Sequence, residues 1–149
     1  MIKKIAIGAD HAGFEYKQKL IEELSKDGYE FVDCGTDSTE SVDYPVFADK
    51  VCECVNSKSV DTGILICGTG IGMSMAANKN KGIRAAVCGD LTSAEFTRLH
   101  NDANVLALGG RVLGFGPAGE IVRAWLTTEF SGGERNERRI GKISALEEK

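Results

Sequence analysis

An apolar, β-branched run that stops at a cysteine and three alternating glycines constrains this chain more than any other stretch: Ile64-Leu65-Ile66-Cys67-Gly68-Thr69-Gly70-Ile71-Gly72-Met73-Ser74. The run predicts a buried strand. The glycines let the backbone approach a ligand and aim N–H groups into a concavity that suits an anion. Met73 to Asn78, with two alanines, reads as a helix start, whose N-terminal end also favours negative charge. Cys67 is therefore expected at the carboxyl end of a strand, beside an anion cradle, where open α/β sheets hold their ligands.

The rest of the chain alternates regularly around that segment. Strands are expected at Lys3–Ala9, Tyr29–Asp33, Thr62–Cys67, Ile83–Cys88 and Val105–Leu108. Helices are expected at Phe14–Asp27, ended by Gly28, and from Pro45 to about Asn56, with Phe47, Val51, Cys54 and Val55 on one face. Two more run from a Thr92 or Ser93 cap to His100, and over Pro117–Phe130 with Ile121, Val122, Trp125 and Leu126 inward. The polar tail after Gly132-Gly133 reads as helical. Strands alternating with helices predict an α/β fold, a Rossmann-like three-layer α/β/α sandwich with a five-stranded parallel sheet. No repeat, low-complexity stretch or linker divides the chain, so residues 1–149 are expected to form one domain.

Composition removes several function classes. A net charge of −4 argues against general nucleic-acid or anionic-membrane binding. No apolar run approaches the ~20 residues of a membrane span, and Met1-Ile2-Lys3-Lys4 leads into a strand instead of a signal peptide. Five cysteines without a CxxC pair argue against a disulfide framework. A reduced, cytoplasmic protein is expected. Cys52 and Cys54 point different ways on a helix, and Cys34 and Cys88 lie at strand ends without a ligand at metal spacing, so these four read as structural.

The glycine loop matches none of its commoner relatives. A dinucleotide fingerprint counted from Gly68 needs glycine where Met73 stands, and no Gly-Lys-Ser/Thr of a Walker loop follows. A cysteine phosphatase loop needs arginine at the same Met73 position. The plainer reading is a tight turn with Cys67 buried as a small hydrophobe, against which stand three glycines in five residues.

Other features gather at element ends. Asp10-His11-Ala12-Gly13 follows the first strand, at the same carboxyl edge as Cys67, although Asp10 alone also suits a helix N-cap. His100-Asn101-Asp102 closes a helix before the fifth strand, where His100 alone also complements the helix C-terminus. Arg111 follows the fifth strand. Arg135 and Arg139 are four apart, one helix face and the spacing of a fork around a phosphate; the rival reading is a solvated face paired with Glu134 and Glu137. Together these favour a phosphorylated ligand.

Ala9-Asp10-His11-Ala12-Gly13, Asp43-Tyr44-Pro45, the Ile66–Gly72 loop, Ala76-Ala77-Asn78-Lys79, His100 to Leu106 and Gly109-Gly110-Arg111 closely resemble type B ribose-5-phosphate isomerases, a family shared with galactose-6-phosphate isomerase subunits. The likeness covers essentially the whole chain in order. One departure is Gly133-Glu134-Arg135-Asn136-Glu137-Arg138-Arg139, where Gly-Gly-Arg-His-x-Arg-Arg is more usual; the arginine spacing survives. The resemblance implies a homodimer, sometimes paired into a tetramer, without metal or organic cofactor, acting on a small sugar phosphate in the pentose phosphate pathway. It also implies sites shared between subunits, with Asp10, Cys67 and the glycine loop from one chain and His100, Asn101 and Arg111 from the other.

Aldose–ketose isomerisation moves a proton between C1 and C2 through an enediolate. It requires a base, donors for the oxyanion, a ring-opening group and a phosphate anchor. Cys67 is the candidate base, since a thiol (ordinarily ionising near ~8.5) serves once a helix N-terminus or cation favours its thiolate. Family members use either this cysteine or a glutamate just after the glycine loop; Met73 stands at that later position, so the chain resembles the cysteine type. The N–H groups of Gly68, Thr69, Gly70, Ile71 and Gly72, with Asn101, suit the enediolate oxygens, and Thr69 adds a hydroxyl. By resemblance His100 opens the ring, Asp10 binds sugar hydroxyls, Tyr44 belongs to the substrate site, and His11, Arg111, Arg135 and Arg139 grip the phosphate. Two alternatives stand beside this: an isomerase of allose or galactose 6-phosphate, and a non-catalytic phosphate- or nucleotide-binding module.

Overall fold

The apolar strand ending at Cys67 lies at the centre of one sheet. The structure, a computed structural model, describes residues 1–149. In chain order it contains β1 (Lys4–Ala9), α1 (Phe14–Ser25), β2 (Glu30–Asp33), α2 (Tyr44–Asn56), β3 (Thr62–Cys67), α3 (Ile71–Asn78), β4 (Ala85–Val87), α4 (Leu91–Asn101), β5 (Val105–Gly109), α5 (Phe115–Thr127) and α6 (Glu134–Ala145), with a final 3₁₀ turn over Leu146–Glu148. The five strands are all parallel, in the order β2-β1-β3-β5-β4. The chain steps outward from β1 to β2, then returns across β1 to β3, so the carboxyl ends of β1 and β3 flank a topological switch point, where α/β sheets open a crevice.

Strand alternation builds a core on each face. Ile5, Ile7, Ile64, Ile66, Leu106 and Leu108 pack with Leu20 and Leu24 of α1 and Ile121, Val122 and Trp125 of α5. Ala6, Leu65, Cys67 and Ala107 point the other way, against Ala48, Val51 and Cys52 of α2 and Met73 and Ala77 of α3. All six residues of β3 are buried, which a strand covered on both faces requires. Each large aliphatic side chain so enclosed contributes roughly 1.5–3 kcal/mol.

The expected elements all form, with shifted ends. β4 is three residues, not Ile83–Cys88, because side chains replace ladder bonds at its start: Asn104 Oδ1 accepts from Arg84 N at 2.8 Å and Asn78 Oδ1 from Ala85 N at 2.7 Å. α4 starts earlier than Thr92 or Ser93, since the Asp90 carboxylate accepts the Ser93 N–H at 2.7 Å and caps it. On α2 the deepest residues are Ala48, Val51 and Cys52, while Phe47, Cys54 and Val55 flank the core partly buried. α5 starts two residues before Pro117 and ends at Thr127 instead of Phe130. α6 forms as expected and buries none of its residues.

Candidate active site

Cys67 ends β3, 5 % exposed, and its Sγ accepts the Gly70 N–H at 3.2 Å. Gly70 makes this turn at φ +80°, a conformation side chains rarely adopt, and a Cβ there would stand 2.9 Å from the Leu108 carbonyl carbon. The N–H that meets the sulfur lies at the N-terminus of α3, where the helix end favours negative charge. Thr69 Oγ1 accepts the Ile71 N–H at 3.2 Å, so two of the loop's donors close the turn itself. The Tyr44 ring lies against Gly72, where an added Cβ would be 2.6 Å from Cζ.

β1 delivers Asp10 and His11 beside this loop. Asp10 N donates to Ile66 O at 3.1 Å, tying the two strand ends together. The buried Asp10 carboxylate accepts from Ala12 N at 2.9 Å and Gly13 N at 3.2 Å with a single oxygen, Oδ1, and Gly13 instead precedes the first turn of α1. The N-cap role considered for Asp10 thus becomes a local turn with Oδ2 left over. His11 Nδ1 accepts the Val42 N–H at 3.2 Å, which makes Nε2 the protonated nitrogen of the neutral ring.

Arg111 closes this half. Its N donates to Gly68 O at 3.0 Å, Gly110 N donates to Cys67 O at 2.8 Å, and a Cβ on Gly68 would lie 3.8 Å from Arg111 Nη1. The expectation that Arg111 reaches the site from a second subunit is therefore corrected. The turn after β5 folds back on the glycine loop of its own chain, because β5 is the hydrogen-bonded neighbour of β3 and Cys67 pairs with Gly109.

The remaining candidates form a second cluster. His100, Asn101, Arg135, Asn136, Arg139 and Ile140 line a groove of about 340 Å³ between the end of α4 and α6. His100 stacks on Phe96, ring centroids 5.0 Å apart and 13° from parallel. Arg138, not Arg135 or Arg139, takes the ion pair with Glu134, at 2.9 Å, so both groove arginines project away from that pair. α4 runs antiparallel to the strands, so His100 and Asn101 lie at the sheet's amino edge, just before β5 begins. Cys67 lies at the carboxyl edge, six strand residues or roughly 20 Å away. One chain brings Asp10, His11, Tyr44, the Gly68–Gly72 loop and Arg111 to Cys67, and leaves His100, Asn101, Arg135 and Arg139 apart.

A supporting strut escaped the sequence. The Lys17 ammonium, 1 % exposed, donates to both oxygens of Asp33 at 2.8 and 2.7 Å and to Gln18 Oε1 at 2.8 Å, above the Phe14 ring. Asp33 also accepts from Gly35 N at 2.9 Å, and Gly35 O and Thr36 N bracket Ala9 with 2.7 Å bonds. The strut thus fixes the loop beside Asp10. A charged residue within an amphipathic helix pattern carries no signal that its head turns inward.

Comparison with known proteins agrees with this fold. The Ribose/Galactose Isomerase family model matches residues 5–143. The chain is 49 % identical over 148 residues to ribose-5-phosphate isomerase B of Escherichia coli, covering 99 % of each, and 38 % identical to the galactose-6-phosphate isomerase subunit LacB of Clostridium acetobutylicum, covering 95 % of this chain and 82 % of that one. The solved ribose-5-phosphate isomerase B of Clostridium thermocellum superposes with a TM-score of 0.95 at 54 % identity, over 97 % of both chains. A cysteine-ended central strand, a glycine cradle and full-length similarity thus converge, and the chain belongs to the Ribose/Galactose Isomerase family.

Proposed function

We propose that residues 1–149 form one sugar-phosphate isomerase domain that interconverts ribose 5-phosphate and ribulose 5-phosphate through an enediolate. The observation that carries this reading is the Cys67 thiol, held by Gly70 N–H at the sheet's crevice with Asp10, His11 and Arg111 around it. Cys67 takes the C2 proton of the open-chain aldose and returns it at C1. Loop N–H groups not spent on the turn, with Asn101, hold the enediolate oxygens. The free oxygen of Asp10 binds sugar hydroxyls, Tyr44 walls the sugar, and His100 opens the ring. His11, Arg111, Arg135 and Arg139 hold the phosphate, for which arginine forks are suited.

His100 and Cys67 lie at opposite edges of one sheet, so these roles need two chains. A two-fold homodimer places the second cluster of one subunit over the Cys67 half of its partner, and two dimers pair into a tetramer in the extended form of this reading. Exposed Ile71, Met75, Val87, Leu91, Phe96 and Val112 favour such an association: they lie on α3, β4, α4 and the turn after β5, the elements nearest the β4 edge. All five cysteines are free, in keeping with work in a reducing cytoplasm.

Incubation with ribose 5-phosphate tests the reading. The ketopentose is expected, faster than any ketose from allose 6-phosphate or galactose 6-phosphate run in parallel. Preference for a six-carbon substrate would move the assignment to the LacB-like activity; nucleotide binding without turnover would overturn catalysis.

A further inference from the structure

Four of the five cysteines were expected to be structural, and two of those four meet. Cys34, just after β2, and Cys54, on α2, are 20 positions apart in sequence, yet their Sγ atoms stand 4.0 Å from each other. The other three sulfurs meet only backbone, Cys52 toward Ala77 O, Cys88 toward Ala86 O and Cys67 toward Gly70 N, while Cys34 Sγ faces Val32 O at 3.8 Å as well as Cys54. Cys34 and Cys54 are also only partly buried, whereas the other three cysteines are buried. A disulfide needs the sulfurs about 2 Å closer, a distance that side-chain torsions and a small shift of α2 can supply.

The segment such a link would enclose touches the Cys67 site three times. Gly35 and Thr36 bracket Ala9 beside Asp10, Val42 N binds His11 Nδ1, and Tyr44 lies on Gly72. Phe47 already crowds Gly35, where a Cβ would be 2.9 Å from Phe47 Cε1. Drawing α2 toward Cys34 therefore displaces the first turn of α2, and with it Tyr44.

We propose that Cys34 and Cys54 form a redox-active dithiol whose oxidation by a peroxide clamps the Cys34–Cys54 segment and weakens sugar-phosphate binding at the Cys67 site. The Cys54 thiolate attacks a peroxide oxygen, forming S–O as O–O breaks, and the hydroxide released takes up the thiol proton as water. Cys34 sulfur then attacks Cys54 sulfur; S–S forms, S–O breaks, and a second water leaves with the Cys34 proton. Two thiols give two electrons to one peroxide. Burial first, and Cys54 beside it, push the Cys34 thiol up to about 12, so Cys34 keeps its proton through the first step and gives it up only as the S–S bond forms.

The effect on binding rests on the isomerase reading above; the link itself does not. Treat the full chain with limiting hydrogen peroxide, map its disulfides by mass spectrometry, and measure ribose 5-phosphate turnover before and after a dithiol reductant. A Cys34–Cys54 link with the loss of two hydrogens is expected, with KM raised at least about threefold, reversed by reductant and absent from Cys34→Ser and Cys54→Ser. Oxidation of Cys67 lowers the active fraction, hence kcat, and leaves KM unchanged. Sulfenic or higher acids at these cysteines without a link would overturn the proposal, as would a link that leaves KM unchanged or a KM rise that persists in Cys34→Ser. A chain without isomerase turnover would remove the isomerase reading, while the map still decides the link.

Discussion

At the scale of single residues, the site rests on a sulfur with one backbone N–H aimed at it. The Gly70 N–H sits where helix α3 favours negative charge, and Gly70 reaches that place only through a positive φ. Cys67→Ala removes the proposed base and one small atom from the crevice edge. Turnover is expected to fall by roughly 10²–10⁴, the usual worth of a general base, with the unfolding midpoint little changed. Solvent deuterium should enter C2 of recovered aldose with the parent protein and not with the variant. Near-normal turnover in Cys67→Ala would remove Cys67 from the mechanism.

At the scale of elements, helix ends carry charge that can be read out. Asp90 caps α4, and the Ser93 N–H and hydroxyl hold its carboxyl below its ordinary 3.8. A carboxyl depressed by folding contributes stability above its unfolded value, and that contribution is lost as pH falls through the folded one. Asp90→Ala should therefore lower the unfolding midpoint at neutral pH. The gap to the parent protein should narrow below the ordinary carboxylate range and close once Asp90 is protonated; a gap independent of pH would show that charge is not the cause. On α6, Arg135 and Arg139 face the His100 groove from a helix that buries nothing. Arg139→Ala should raise KM for the sugar phosphate several-fold and weaken inhibition by inorganic phosphate in parallel, with kcat nearly kept. Arg139→Lys should restore only part, since an ammonium lacks the planar fork. A fall in kcat at unchanged affinity for both ligands would argue against the phosphate role.

At the scale of the whole molecule, the opposite placement of Cys67 and His100 becomes a prediction about subunit mixing. Combine Cys67→Ala and His100→Ala chains under conditions that exchange subunits. About half of randomly paired dimers are mixed, each with one intact site, so activity should return to roughly a quarter of the parent value. Cys67→Ala mixed with Arg111→Ala should stay inactive, because both residues serve the same half and no intact site can form. Recovery by the second pair would assign Arg111 to the partner's half, and no recovery by the first after exchange is verified would overturn the two-chain site.

What the sequence by itself determined is local or periodic. The β3 run, the glycine loop, the alternation of elements and the sheet's parallel sense follow from side-chain period and backbone freedom, which act over a few residues. Cys67, Asp10 and His11 could be placed at one edge for the same reason: parallel strands put every strand-to-helix turn on one side. Short-range capping details were less legible, because Asp90, Thr92 and Ser93 all suit a cap and only the folded turn chooses among them. Tertiary structure alone decided three matters. It seated Arg111 against Gly68, because strand order, unlike strand number, depends on which hydrophobic faces pack. It turned the Lys17 head inward to Asp33, and it set Cys34 beside Cys54. Each joins residues from separate elements, and nothing in the neighbouring sequence of either partner encodes the other's position.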